Sequence, residues 1–326
     1  MKTKKRIILL AALLMPLLAV AQNTDRRDLA GRGKVGTTGM QFLKIGIGAR
    51  AVGMGEAFVA MANDISAVYY NPAGLTLAPS KAVLLTHIEW PADISYEFAA
   101  ATLPVGDLGV VGVFVGMLGA SDQKRTVPYQ GWTGEYFSAN DWLLGVSYAR
   151  RLSNRFSFGA NVKYLTEYLG EDRAENFAID LGTLFDVGVR GIKLGMNITN
   201  FGGDAKYFRD QFALPINFRL GAIVEAYRNE HNTLFVSFEG SHPNDNVEQV
   251  AFGVEYNLLG SFALRTGYRT NVELEDLDKV DEPFEGFSFG AGANFRVSRV
   301  RAQLDYAYSD LGFLDNAQRF SLIFKF

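Results

Sequence analysis

Residues 155–168 read RFSFGANVKYLTEY, and their apolar positions fall on every second residue. Phe156, Phe158, Ala160, Val162, Tyr164 and Tyr168 share one side of the alternation, with Arg155, Ser157, Gly159, Asn161, Lys163 and Glu167 between them. A period of two belongs to a β-strand with one apolar face, not to an amphipathic helix. The pattern recurs downstream. Ile192, Leu194, Met196 and Ile198 oppose Lys193, Gly195, Asn197 and Thr199, and Ile216, Phe218, Leu220, Ala222 and Val224 oppose Asn217, Arg219, Gly221 and Glu225. Phe287, Phe289, Ala291, Ala293 and Phe295, then Val300, Ala302, Leu304, Tyr306 and Tyr308, continue it toward the end of the chain.

A water-soluble sandwich would alternate too, so other features must decide what solvates the apolar face. That face ends in aromatics (Trp142, Tyr148, Tyr164, Tyr168, Tyr256, Tyr268, Tyr306, Tyr308), as strands do where they cross a membrane interface. The other face carries full charges in mid-strand, at Lys163, Asp180, Lys193, Arg219, Glu239, Glu255, Arg265 and Asp305. Unpaired, these would be costly in a dry core, whereas a wet or plugged lumen accepts them. Connection lengths alternate as well: tight turns near 104–107, 152–154, 190–191, 228–231, 259–261 and 298–299 contrast with long polar stretches at 119–141, 200–214 and 270–283. Short periplasmic turns and long extracellular loops are the rhythm of an outer-membrane barrel.

The expected fold class is therefore all-β, a transmembrane outer-membrane β-barrel of about 14 antiparallel strands over residues 81–326. An even count places both barrel ends on one side, and both termini are expected in the periplasm. The 34 glycines, 25 Phe and 14 Tyr suit aromatic strands relieved by glycine, and the net charge of -3 gives no reason to expect nucleic acid as a partner. The chain has no cysteine, which excludes disulfides, thiol nucleophiles and zinc-thiolate sites.

At the N-terminus Lys2, Lys4, Lys5 and Arg6 precede an apolar run at 7–20 that ends in Ala19-Val20-Ala21. The run is shorter than the ~20 residues of a membrane-spanning helix and closes on an A-x-A site, so residues 1–21 read as a cleaved export signal. Residues 22–41 are polar and glycine-spotted, a mobile lead-in.

Residues 42–80 form the least strand-like part of the mature chain. Gly46, Gly48, Gly53 and Gly55 punctuate an apolar background, residues 56–62 offer about two helical turns, and Asn71-Pro72 imposes extended backbone before Gly74. Such a segment folds only against something else, which makes it a hatch plugging the lumen. Arg50 and Glu56 are placed to pair with opposite charges on the wall, and Asn71 to brace the turn. The hatch or gating candidates are thus Arg50, Gly53, Gly55, Glu56, Asn71 and Pro72.

The run Gly48-Ala49-Arg50-Ala51-Val52-Gly53-Met54-Gly55-Glu56-Ala57, with Asn63-Asp64 and Tyr69-Tyr70-Asn71-Pro72-Ala73, resembles the N-terminal signature of the PorV/PorQ family, a branch of the FadL-like barrels. The resemblance implies a hatch inside a fourteen-stranded barrel and a non-enzymatic role as a component or cargo-shuttle partner of type IX secretion. Its partners would then be the secretion translocon and secreted cargo proteins. The wider family implies the alternative, passive carriage of a hydrophobic small molecule across the outer membrane through a lateral opening. The apolar strands near 84–88 and 110–117 would flank that path, whereas a protein partner would favour the long loop with Tyr129, Trp132, Tyr136 and Phe137. Phe320, Leu322, Phe324 and Phe326 alternate up to a terminal Phe, similar to the signal read by the barrel-assembly machinery. Outer-membrane lipid is the remaining expected partner.

Enzyme signals are weak. Gly46-Ile47-Gly48-Ala49-Arg50-Ala51 fits G-x-G-x-x-A without a βαβ unit around it, and His87, His231 and His242 lie too far apart in sequence for a ligand motif. The acidic run 273–285 matches no calcium loop and reads as a solvated loop. Neither a catalytic residue, a metal site nor a cofactor is expected.

Overall fold

The computed structural model describes residues 36–120, 123–207, 210–271 and 286–326. The export signal at 1–21, most of the lead-in and the acidic run 273–285 lie outside the described residues.

Alternating sequence becomes strand. In chain order these are β1 (Ala82–Trp90), β2 (Ile94–Pro104), β3 (Val110–Ala120), β4 (Gln123–Val127), β5 (Gly131–Phe137), β6 (Ala139–Arg151), β7 (Phe156–Leu169), β8 (Asp172–Asp186), β9 (Lys193–Gly202), β10 (Ala205–Tyr207) and β11 (Asp210–Phe212). They continue as β12 (Asn217–Arg228), β13 (Asn232–Pro243), β14 (Gln249–Leu258), β15 (Phe262–Asn271), β16 (Phe287–Val297), β17 (Val300–Asp310) and β18 (Asn316–Lys325). Fourteen of them close into one antiparallel barrel, in the order β1-β18-β17-β16-β15-β14-β13-β12-β9-β8-β7-β6-β3-β2. The closing seam pairs Ala82 with Lys325 and Glu89 with Gln318, so no strand edge is left to the lipid. Pairs β4-β5 and β10-β11 form separate two-stranded ribbons in the connections at 119–141 and 200–214.

The two faces of the wall divide by polarity. Val113, Leu144, Val146, Val162, Phe177 and Leu264 point outward and stay exposed, whereas Lys163, Asp180, Glu239, Glu255, Arg265 and Asp305 point inward and are buried. The inside is buried because the hatch fills it. Met54, Phe58, Met61, Val68 and Tyr70 of the hatch are almost completely enclosed.

Close approach of hatch to wall depends on wall glycines. A Cβ on Gly267 of β15 would lie 2.0 Å from the Gly55 nitrogen, and one on Gly159 of β7 2.3 Å from the Ala73 nitrogen. The expectation of helix at 56–62 is not met: the helical turns are Ala49–Val52 and Ala67–Tyr70. Glu56 takes a left-handed φ of 62°, and the Phe58 and Val59 amides donate to Glu239 on the wall at 2.9 and 2.8 Å. The left-handed Glu56 and the turn of the Phe58 amide back to the Glu56 carbonyl at 2.7 Å are not helical backbone, and the wall carboxylate satisfies the freed amides.

The hatch runs from one rim to the other. Its last part bonds near the tight turns, where Thr76 donates to Ser157 and the Phe326 amide donates to Lys81. Its first part bonds at the rim of the long connections, where Thr38 bridges to Ala213 and donates to Asp245. An even strand count fixes Lys81 and Phe326 on one side, but the hatch carries the chain across, so Gly36 and Phe326 lie at opposite rims. No helix among the described residues is long and apolar enough to cross a membrane, which says nothing of a barrel.

Candidate functional site

The inner site is a charge network joining hatch to wall. Arg50, at the first helical turn of the hatch, donates from Nε and Nη2 to Glu255 of β14, each at 2.8 Å. Its Nη1 donates to Asn63 at 2.6 Å and to Asp64 at 2.7 Å within the hatch. Glu255 also accepts from Arg265, which donates onward to Asp305, at 2.7 Å in both cases. Burial opposes the Arg50 charge, yet Glu255 and Asp64 more than offset it and hold the guanidinium pKa above its usual value. For Asp64 burial raises the pKa, and Arg50 with the Ser66 hydrogen bonds outweighs it, leaving the carboxyl below its usual range.

Glu56 is the second contact. Burial pushes its pKa up, but Arg269, Arg219 and Arg319 pull it lower than the usual carboxylate. The Arg269 guanidinium lies 2.9 Å from Glu56. Gly53 and Gly55 press on the wall, with the Gly55 amide donating to Ser288 at 3.0 Å. Asn71 accepts from the Ala73 amide at 3.2 Å and donates to Val59 at 2.8 Å and to Thr183 of β8 at 3.1 Å; Pro72 opens the 3-10 turn Pro72–Leu77. Arg50, Gly53, Gly55, Glu56, Asn71 and Pro72 are thus all at the hatch-wall contact.

The outer site is a groove of about 510 Å³ on the lipid-facing wall. Strand register builds it from two rungs. Phe320, His87, Glu97, Met117 and Trp142 stand opposite one another across β18, β1, β2, β3 and β6. The next rung toward the tight-turn rim sets Leu304, Leu322, Leu85, Ala99 and Val115 across β17, β18, β1, β2 and β3. Ala99 is the small residue that hollows the wall, and Thr86, Phe98 and Ser321 reach the groove from the inward face. Its charged pair is His87–Glu97, 2.5 Å from Nδ1 to Oε1, on the rung away from the tight turns, and the hydroxyls of Thr86 and Ser321 pair with each other at 2.9 Å.

The two apolar stretches singled out as flanking a path, 84–88 and 110–117, meet here on either side of β2. The sequence reading missed the groove itself. The small outward residues Ala99 and Ala101 of β2, between larger neighbours on β1 and β3, are the signal that could have found it. It also missed Asp245, a buried carboxylate in the β13-β14 connection that accepts from Thr38, Gln41 and Lys44.

Tyr129, Trp132 and Tyr136 lie on the β4-β5 ribbon, all exposed, and Phe137 at its base is half-buried. Lys124 Nζ lies over the Trp132 ring at 5.5 Å, and Trp132 meets Tyr136 edge-on at 5.8 Å. Phe320, Leu322, Phe324 and Phe326 are at the closing seam, the first three opposite His87, Leu85 and Val83. Among the described residues no cluster of His, Asp and Glu could hold a metal ion.

No protein-family model matches the chain, and no curated protein matches it. Among solved structures it resembles the Pseudomonas putida toluene transporter TodX, with a TM-score of 0.57 at 12% identity over 86% of this chain and 96% of that one. A TodX monoaromatic hydrocarbon channel lacking S2 gives 0.55 at 13% identity, over 85% and 97%. Identity this low is evidence of fold. The chain is an integral outer-membrane β-barrel, closed by fourteen strands and filled by its own N-terminal hatch. Its solved neighbours are transport channels, and the barrel has their fold.

Proposed function

We propose that this barrel carries a small hydrophobic compound across the outer membrane, binding it on the lipid-facing wall at the β18-β1-β2-β3 groove. The groove carries the reading. A recess of about 510 Å³ falls within the ~300–1,000 Å³ of small-molecule sites, and its lining is mainly apolar, the polar side chains being the His87–Glu97 pair, Thr86 and Ser321. TodX, a toluene transporter by name, supplies the fold precedent and the class of compound, a monoaromatic hydrocarbon. The hatch fits this role because it closes the lumen to water and ions, while an apolar compound can use the lipid phase beside the wall. Binding of toluene to the purified barrel in nanodiscs, followed by Trp142 fluorescence in a variant lacking the other tryptophans, tests it. A saturable change abolished by filling the groove with Ala99→Phe, which leaves Trp142 the single reporter, supports it, and a linear partition-like signal sinks it.

The PorV/PorQ reading, a partner of the type IX translocon and its cargo, takes second place. The exposed aromatic β4-β5 ribbon favours it, since Trp132 and Tyr136 are of the kind that anchors protein interfaces. Gentle extraction from the native membrane separates the two. A stoichiometric large partner lost on Trp132→Ala would raise the secretion reading, and a lone barrel retaining an apolar molecule would lower it. The terminal strand is assigned to the barrel-assembly machinery on its alternating Phe320, Leu322, Phe324 and Phe326.

A further inference from the structure

We propose that the described chain enters this barrel at the cell-surface rim, so that Gly36 lies at the outer rim and the hatch is threaded from there inward. Strand β7 gives the ruler. Near one end its Ser157 accepts from Thr76 of the hatch, and near the other its Glu167 accepts from the Met40 amide. Those wall residues are separated by ten positions of one strand, about 33 Å at ~3.3 Å per residue. The hatch therefore spans the barrel from top to bottom.

At the Met40 end every anchor belongs to the long-connection rim. The Gly39 amide donates to the Ala213 carbonyl at 3.1 Å, and the Phe212 ring occupies the space where a Gly39 side chain would lie. Thr38 and Lys44 reach Asp245 at 2.5 and 3.0 Å. Asp245 sits between β13 and β14, Ala213 between β11 and β12, and the β4-β5 ribbon rises from the same rim. At the other end Arg151 donates to the Thr76 carbonyl at 3.1 Å, beside the turn from β6 to β7.

Tight turns face the periplasm and long connections the exterior in barrels of this kind, which puts Gly36 outside. A return from Gly36 to the periplasm would need a second passage through a lumen already packed by Met54, Phe58, Met61 and Tyr70. One consequence bears on gating: a hatch pinned at both rims cannot swing clear into the periplasm as a plug on a single hinge.

The chain has no cysteine, so single introduced thiols report cleanly. Thr37→Cys probes the exposed start of the hatch, Tyr129→Cys marks the outer ribbon, and Glu230→Cys marks the turn between β12 and β13. Intact cells carrying the full-length chain are treated with a membrane-impermeant maleimide, and heat-modifiable mobility verifies barrel assembly. Thr37→Cys should label as fully as Tyr129→Cys, while Glu230→Cys should label only after permeabilisation. Labelling of Thr37→Cys only after permeabilisation overturns the proposal, as does labelling of Glu230→Cys from outside. Should Thr37→Cys fail to assemble, an epitope inserted after Gln22 in the otherwise native chain gives the second measurement: antibody binding to intact cells supports the proposal, and binding only to opened cells overturns it.

Discussion

Arg50 in the hatch and Glu255 in β14 clasp each other through two parallel hydrogen bonds of 2.8 Å, between residues 205 positions apart. Both side chains are largely removed from water, at 13% and 1% exposure. A bidentate guanidinium-carboxylate pair in that setting fixes position as well as charge, because the planar fork accepts one geometry. Whether such a pair stabilises the fold relative to an apolar one is a separate matter, but removing one partner strands the other.

Arg50→Ala should therefore loosen the hatch, leaving Asp64 and part of Glu255 unpaired at a cost of about 3–5 kcal/mol. Arg50→Lys keeps the charge and loses the fork, and should fall between. The readout is chymotrypsin cleavage within the hatch, whose aromatic sites Phe58, Tyr69 and Tyr70 are untouched by either substitution, on the folded, membrane-embedded protein, with heat-modifiable mobility confirming an intact barrel. Equal protection of native and Arg50→Ala protein would show that the pair does not hold the hatch.

The steric contacts make a sharper test than the charges. Gly267→Ala places a methyl 2.0 Å from the Gly55 nitrogen, against hatch backbone at Met54 and Gly55, whereas Gly240→Ala on β13 meets nothing within 4 Å. The first should displace the hatch and open a measurable ion conductance in planar bilayers, and the second should leave the barrel closed. Overpacking of this kind costs about 1–3 kcal/mol or more where backbone cannot give way. A closed Gly267→Ala channel would mean that the hatch does not seat at Gly55 as described.

These contacts explain which features could be read from sequence. The alternation at 155–168 specified a strand because a one-residue slip would turn Lys163 and Glu167 toward lipid, so the pattern and the membrane agree on one register. Glu255 was legible as a lumen charge, since mid-strand ionised residues have nowhere else to go. Its partner Arg50 could be named only as a pairing candidate, because the hatch backbone has no period to fix direction. Residues 56–62 failed for a related reason: alanine favours a helix, but contact with the wall holds Glu56 at a left-handed φ of 62°, which no helix start accepts, with Glu239 bonded to the Phe58 and Val59 amides. The groove was hidden because Leu85, Ala99, Val115 and Leu322 become neighbours only through barrel register.

Acid should release the hatch. Glu56 faces Arg269, Arg219 and Arg319 and Asp64 faces Arg50, and both carboxyls are held below their ordinary values of 4.5 and 3.8. A carboxyl depressed in the folded state contributes stability above its unfolded pKa and loses it as pH falls through the folded one. Hatch protection from an acid-active protease should thus be constant from pH 7 to about 5 and decline below about 4. Glu56→Gln should lower protection at pH 7 and flatten part of the decline. An unchanged profile in that variant would remove Glu56 from the account.

Filling the wall groove tests transport most directly. Ala99 is the small residue between Leu85 and Val115 on one rung, so Ala99→Trp should occupy the recess while pointing into lipid, where a large aromatic is tolerated. Leu181→Trp on the outward face of β8 adds a comparable ring away from the groove and serves as the reference. If the compound passes at this seam, Ala99→Trp should weaken toluene binding about tenfold, equivalent to ~1.4 kcal/mol, and slow its entry into cells, with Leu181→Trp near native. The His87–Glu97 pair gives an independent handle, because Glu97→Gln keeps a hydrogen bond to the imidazole and the shape of the rung. That variant should leave entry of an apolar compound almost unchanged while Ala99→Trp blocks it, since the proposed path depends on space and apolar lining more than on charge. Equal entry through native and Ala99→Trp barrels would move the path away from β1, β2 and β3.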